Sequence, residues 1–196
     1  MHPIRVSAES PLRPLLRIVM DQYRLHLGGI HGITHWARVL ENGRRLSGAA
    51  DASGMDGAVV DHDKLVMEHD KLVMELFAIF HDACRHGDGI DPGHGPRAAE
   101  LVSGLRTRIP LDDRSFARLV EACECHTRGP RPGAHPTVRA CLDADRLDIP
   151  RVGLRVRPEL LCTSAGRAAE MIAWASARAA SRYVPGLCTR EWGWEG

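Results

Sequence analysis

Residues 62–75 are one heptad written twice: His62-Asp63-Lys64-Leu65-Val66-Met67-Glu68 is followed at once by an identical copy, His69 to Glu75. Seven residues make nearly two helical turns, so the duplication keeps one apolar face in phase through Leu65, Val66, Leu72, Val73, Leu76 and Phe80. The pattern predicts a long helix that starts near Asp61, a good N-cap, and ends at His81-Asp82. The repeat lengthens that helix at its N-terminal end by about 10 Å. His69 falls near the middle of the apolar stripe and reads as a packed or half-exposed neutral histidine. A second metal site built on His62 and His69 is the lesser alternative.

The rest of the chain carries the same signature of helical apolar spacing broken by Gly and Pro, with no alternating strand pattern. Helices are expected at 12–27, stopped by Gly28-Gly29, and at 33–46, followed by a loop at 47–57. A turn-rich loop at 86–95 leads into a helix at 96–106, and further helices are expected at 112–126, 136–148 and 164–182, with a short element near 158–162. Residues 183–196, with Trp192 and Trp194, read as an irregular tail. The expected fold is an all-α, single-domain helical bundle with its core between about 12 and 182.

At 196 residues the chain is long enough to bury a full core, and its formal charge of +1 argues against a dedicated nucleic-acid binder or a membrane-surface protein. The N-terminus lacks the apolar stretch of a secretory signal, and no apolar run approaches a membrane span, so a cytoplasmic location is expected. The six cysteines are scattered in a chain too large to need disulfide staples. Cys123 and Cys125 point about 200° apart on a helix, which sets them apart from a shared ion. They are expected as reduced, mostly buried thiols.

Chemistry gathers instead around His81-Asp82, which closes the apolar run Leu76-Phe77-Ala78-Ile79-Phe80. A neutral imidazole and an adjacent carboxylate can hold one divalent ion, and an apolar helix end excludes competing water. Further donors stand at His35, four residues after His31, at His94, at His126 and at Asp145. Asp143 and Asp148 flank the last of these and are candidates to orient a ligand histidine through its other ring nitrogen.

In this order the residues resemble the HD-domain superfamily of metal-dependent phosphohydrolases. The resemblance is carried by His35 in His35-Trp-Ala-Arg38-Val39, by His81-Asp82, and by Asp145 in Ala144-Asp145-Arg146-Leu147, and it spans about residues 31–150. It implies a bundle of about five core helices, with His35, His81, Asp82 and Asp145 binding one divalent metal. His94 and His126 occupy the interval in which some branches add two histidines for a second ion, so one or two ions are expected. Mixed His/carboxylate ligation favours Mn, Fe, Co, Ni or Zn over Mg.

The resemblance implies hydrolysis of a phosphoester of a small, nucleotide-like molecule by metal-activated water, with Asp82 at the centre of the chemistry. In some branches the third position after the motif aspartate is an acid or a lysine. Here it is Arg85, a poor proton donor and a good bidentate anchor for phosphate, which leaves leaving-group protonation to His86, Asp88 or His94. Arg38, Arg97 and Arg146 are further anion-binding candidates. Expected partners are a small-molecule phosphate and a second copy of the chain as a homodimer, with no nucleic acid or membrane. Two alternatives share the fold: a nucleotide sensor without turnover, and a di-iron oxygenase.

Overall fold

The protein is described by a computed structural model that covers residues 12–52 and 61–194, with side chains for 12–48 and 70–194. All regular structure among these residues is helical: α1 (Leu12–Gln22), α2 (Ile33–Ala52), α3 (Asp61–Phe80), α4 (His94–Gly104), α5 (Asp113–Cys125), α6 (Pro136–Arg146), α7 (Ser164–Arg167), α8 (Ala169–Ala180) and α9 (Leu187–Arg190). The core lies where α2, α3, α5 and α6 pack against one another, with Trp36, Leu40, Leu76, Phe77, Ile79, Phe80, Leu119 and Leu142 fully buried. Burying each such side chain contributes about 1.5–3 kcal/mol, and that apolar layer makes a rigid floor for the polar groups above it.

α3 runs from Asp61 to Phe80 and carries the repeated heptad, as its spacing predicts. Val73, Leu76 and Phe80 are fully buried, in line with the apolar stripe. The side chains of His62 and His69 lie outside the described residues. After Phe80 the chain tightens into successive turns, Ala83 N–H to Phe80 O (3.0 Å) and Arg85 N–H to Asp82 O (3.2 Å), which swing His81, Asp82 and Arg85 toward one point.

Several boundaries differ from the sequence reading. α1 stops at Gln22 rather than 27, because Leu27 O is needed to accept Ile33 N–H (2.8 Å) at the entry to α2. Gly32 permits that close turn: a Cβ there would lie 1.9 Å from Leu27 O. α2 continues to Ala52 through the expected loop, helped by helix-forming Ala49 and Ala50, while residues 53–57 of that loop lie outside the described residues. The helix expected at 164–182 is two, since Ala168 is extended (φ −60°, ψ 131°) between α7 and α8. Residues 187–192 are not an irregular tail. Leu187–Arg190 form α9 and the segment packs inward, with Leu187, Cys188 and Trp192 buried and the Glu191 carboxylate paired with Arg44 (3.0 Å).

All six cysteines are free thiols, five of them buried, and none joins a metal-ligand group among the described residues. Among the same residues, no helix is long and apolar enough to cross a membrane.

Candidate metal centre

The start of α2, the end of α3, the start of α4, the end of α5 and the end of α6 converge on one buried polar cluster. α2 supplies His35, the turn after α3 supplies His81 and Asp82, α4 supplies His94, the residue capping α5 is His126, and α6 supplies Asp145. The structure thus brings together all six residues of the expected ligand set. His94 reaches His126 because Gly95 lets α4 press on the end of α5; a Cβ at Gly95 would sit 2.9 Å from Cys123 O and 3.0 Å from Glu124 O.

Asp82 stands at the middle and faces two sets of donors with its two oxygens. Oδ2 lies 3.6 Å from His35 Nε2 and 3.9 Å from His81 Nε2, and Asp145 Oδ1 closes the same set at 3.5 and 3.7 Å from those nitrogens. Oδ1 lies 3.0 Å from His94 Nε2 and 3.7 Å from His126 Nε2. Donor atoms bound at about 2.1 Å to one ion are about 3.0–3.4 Å apart at octahedral to tetrahedral angles, so these separations are close to those of shared ligands.

The ring protons make a stronger case. His35 Nδ1 donates to Asp148 Oδ2 (2.7 Å), and His81 Nδ1 donates to the carbonyls of Phe77 (3.2 Å) and Ala78 (3.1 Å). His126 Nδ1 donates to Cys123 O (2.8 Å), and His94 Nδ1 donates to Asp91 O. A ring whose one proton sits at Nδ1 presents a lone pair at Nε2. Yet His35 Nε2 faces His81 Nε2 at 3.0 Å, and His94 Nε2 faces His126 Nε2 at 2.7 Å. Two acceptors so close need a proton or a metal ion between or beside them, and both pairs have a carboxylate oxygen beside that position. The residues present therefore fit a metal ion at each set.

Electrostatics agree for the first set. Burial, reinforced by Arg151 and His81, holds His35 well below the usual imidazole range; burial also lowers His81, so both rings stay neutral and ligand-competent. Burial alone would raise Asp82, but the facing His81, His126, His31 and His94 outweigh it and keep the carboxyl well below its usual range. Asp145 is lowered likewise: His81, His35 and Arg151 outweigh burial. At His126 burial favours the neutral ring, and the facing Asp82 and Asp145 outweigh it, raising that imidazole.

Asp148 fills the orienting role expected of it. It is 1% exposed, grips His35 Nδ1, and is itself held by Arg38 Nε (2.7 Å) and Nη2 (3.0 Å). Asp143 does not share that role: its oxygens accept from the Cys162 and Thr163 backbone N–H groups and fix the segment before α7.

The arginine expectations need correction. Arg38 is 3% exposed and spent on Asp148 and Tyr183 O, so it supports His35 rather than a substrate. Arg97 is bound to Cys84 O and Asp91, and Arg146 to Leu160 O, each stitching a loop outside the cluster. Arg85 does reach the centre, with Nη1 3.5 Å from Asp82 Oδ1 and 3.2 Å from His94 Nε2, braced by Gly87 O and Gly89 O. The side chains of His86 and Asp88 are exposed on the loop and do not join the cluster; His86 contributes its backbone N–H to Asp91.

Two residues enter that no role was given from the sequence. His31 Nδ1 lies 2.9 Å from Asp82 Oδ2, with its carbonyl held by the Tyr23 hydroxyl (2.8 Å), and its four-residue spacing from His35 was the available signal. Arg151 lies beside it, Nη2 3.3 Å from His31 Nδ1, and no local motif marks it.

An all-helical bundle that gathers His, His-Asp and Asp at its centre is the architecture of the HD-domain fold, and the resemblance seen in the residues holds in three dimensions. The chain is similar to the crystal structure of a predicted HD superfamily hydrolase from an uncultured Thermotogales bacterium, with 25% identity over 85% of each chain and a TM-score of 0.57. No protein-family model and no curated protein sequence matches the chain.

Proposed function

We propose that the protein is a metal-dependent phosphohydrolase acting on a small phosphoester. The observation that carries this reading is the pair of opposed Nε2 lone pairs, His35 against His81 and His94 against His126, on the two oxygens of Asp82. A divalent ion there supplies Lewis-acid polarisation of a phosphoryl oxygen and makes hydroxide available near neutral pH. The chain's own residues supply the rest. Asp148 and the Phe77, Ala78, Asp91 and Cys123 carbonyls fix the ring orientations in advance, so no reorganisation is needed when substrate arrives. The apolar layer below keeps the cluster nearly dry. Asp145, with 18% of its side chain exposed, is the open edge, whereas the side chains of His35, His81 and Asp82 are 3% exposed or less. Arg85 places a cation beside the phosphoryl position.

The likeness to the predicted Thermotogales hydrolase supports hydrolysis as the reaction class. The test is phosphate release from a panel of nucleotides, sugar phosphates and p-nitrophenyl esters by protein loaded separately with Mn, Co, Ni, Zn or Fe. Metal-dependent release of phosphate or of the alcohol supports the reading. Tight ligand binding without turnover selects the sensor, and O₂ uptake by iron-loaded protein selects the oxygenase.

A further inference from the structure

Arg151 sits in the 3-10 turn Ile149–Val152, directly after Asp148. Its side chain is 8% exposed, yet it has no carboxylate of its own. Nε donates to Ile30 O (2.8 Å) and Nη1 to Asp148 O (3.2 Å), both neutral carbonyls. The nearest carboxylate oxygen, Asp148 Oδ2, is 3.9 Å away and already accepts from Arg38 and His35. Nη2 faces His31 Nδ1 at 3.3 Å, and that ring stands between it and Asp82, with Nδ1 2.9 Å from Asp82 Oδ2 and Nε2 3.3 Å from Asp88 O. The partners of this buried guanidinium within hydrogen-bond distance are thus two carbonyls and an imidazole, and none is a carboxylate. A buried guanidinium held in place by backbone carbonyls, with no carboxylate within hydrogen-bond distance, is preorganised for an anion.

The charge balance points the same way. The three carboxylates Asp82, Asp145 and Asp148 are equalled in number by the three guanidiniums of Arg38, Arg85 and Arg151. Every divalent ion added leaves two positive charges in excess. A terminal phosphate, dianionic at neutral pH, offsets that excess twice as well as a monoanionic diester, and in a buried site each unmatched charge is costly.

We infer that Arg151 is the anchor for a terminal phosphoryl group and that it selects phosphomonoesters over diesters. The inference rests on the phosphohydrolase reading and deepens it. Arg151 adjoins His31, the partner of Asp82 Oδ2, and Arg85 adjoins His94 and Asp82 Oδ1, so each oxygen of Asp82 has a guanidinium on its side of the cluster.

The test is calorimetric titration of metal-loaded protein with inorganic phosphate and with dimethyl phosphate, with metal content measured in the same samples. Wild type is expected to bind phosphate at least about tenfold more tightly than dimethyl phosphate. Arg151→Gln is expected to lose about tenfold or more for phosphate, to change little for dimethyl phosphate, and to keep its metal. Arg151→Lys, which retains the charge and loses the fork, is expected between the two and covers the case in which the glutamine variant does not fold. Unchanged phosphate affinity in Arg151→Gln, equal affinity of wild type for the two probes, or no phosphate binding by wild type overturns the inference. Turnover is read separately: phosphate binding through Arg151 with no ester hydrolysed defeats the functional reading and leaves the anchor standing. Ester hydrolysis with phosphate affinity indifferent to Arg151 does the reverse.

Discussion

His94 and His126 meet Nε2 to Nε2 at 2.7 Å, although the Nδ1 hydrogens of both rings are already committed to the carbonyls of Asp91 and Cys123. With each ring carrying only its Nδ1 hydrogen, neither Nε2 has a proton to offer the other. The contact makes chemical sense around a cation, with Asp82 Oδ1 as the third donor.

His126→Ala removes one donor of that trio and leaves His35, His81 and Asp145 intact. Metal content measured by elemental analysis is expected to fall from about two ions per chain to about one. An unchanged content would mean that His94 and His126 hold no ion of their own.

Gly95→Ala tests the same pair through the backbone. The added Cβ meets Cys123 O and Glu124 O at 2.9 and 3.0 Å, backbone atoms that cannot step aside without moving α4 off α5. The expected cost is about 1–3 kcal/mol of stability by thermal or denaturant unfolding, with the second ion lost and the first retained.

Asp148→Asn acts without touching an ion. It weakens the grip on His35 Nδ1 and leaves Arg38 buried opposite a neutral amide. Metal affinity is expected to drop about 10–100-fold. Stability is expected to fall by about 3–5 kcal/mol, because a buried ion pair broken on one side leaves an uncompensated charge. A variant that unfolds like wild type would contradict the role given to the Arg38–Asp148 pair.

Cys188 reports on the packing of the C-terminal segment. Burial pushes its thiol up to about 11, so at pH 8 only about one molecule in a thousand carries the reactive thiolate. In the native protein it is expected to resist iodoacetamide over an hour and to react fully once denatured, as read by peptide mass spectrometry. Rapid native labelling would mean that α9 is not packed as described.

Much of the fold was legible because helices leave a period. α3, α5 and α6 sit within a few residues of their predicted limits, since an apolar stripe on one side and Asp61 or Asp112 at the N-terminus are local signals. The C-terminal segment was not legible. Leu187, Cys188 and Trp192 become core only because other parts of the fold cover them, and six residues are too few to show a period. The ligand order was readable from residue types and spacing. The arginines were not, because Arg38, Arg85, Arg97, Arg146 and Arg151 look alike in sequence. What separates Arg151 from Arg38 is whether a carboxylate stands within reach, and that is decided by residues more than a hundred positions away, such as Ile30 for Arg151 and Asp148 for Arg38.

The central claim is that Asp82 organises a metal centre, and the most direct measurement is metal content per chain in wild type and Asp82→Ala, purified and loaded side by side. Asp82 is the residue whose two oxygens face both donor sets. Wild type is expected to carry about two ions, and Asp82→Ala, folded by circular dichroism, essentially none. Full metal content in the folded Asp82→Ala protein would contradict the account.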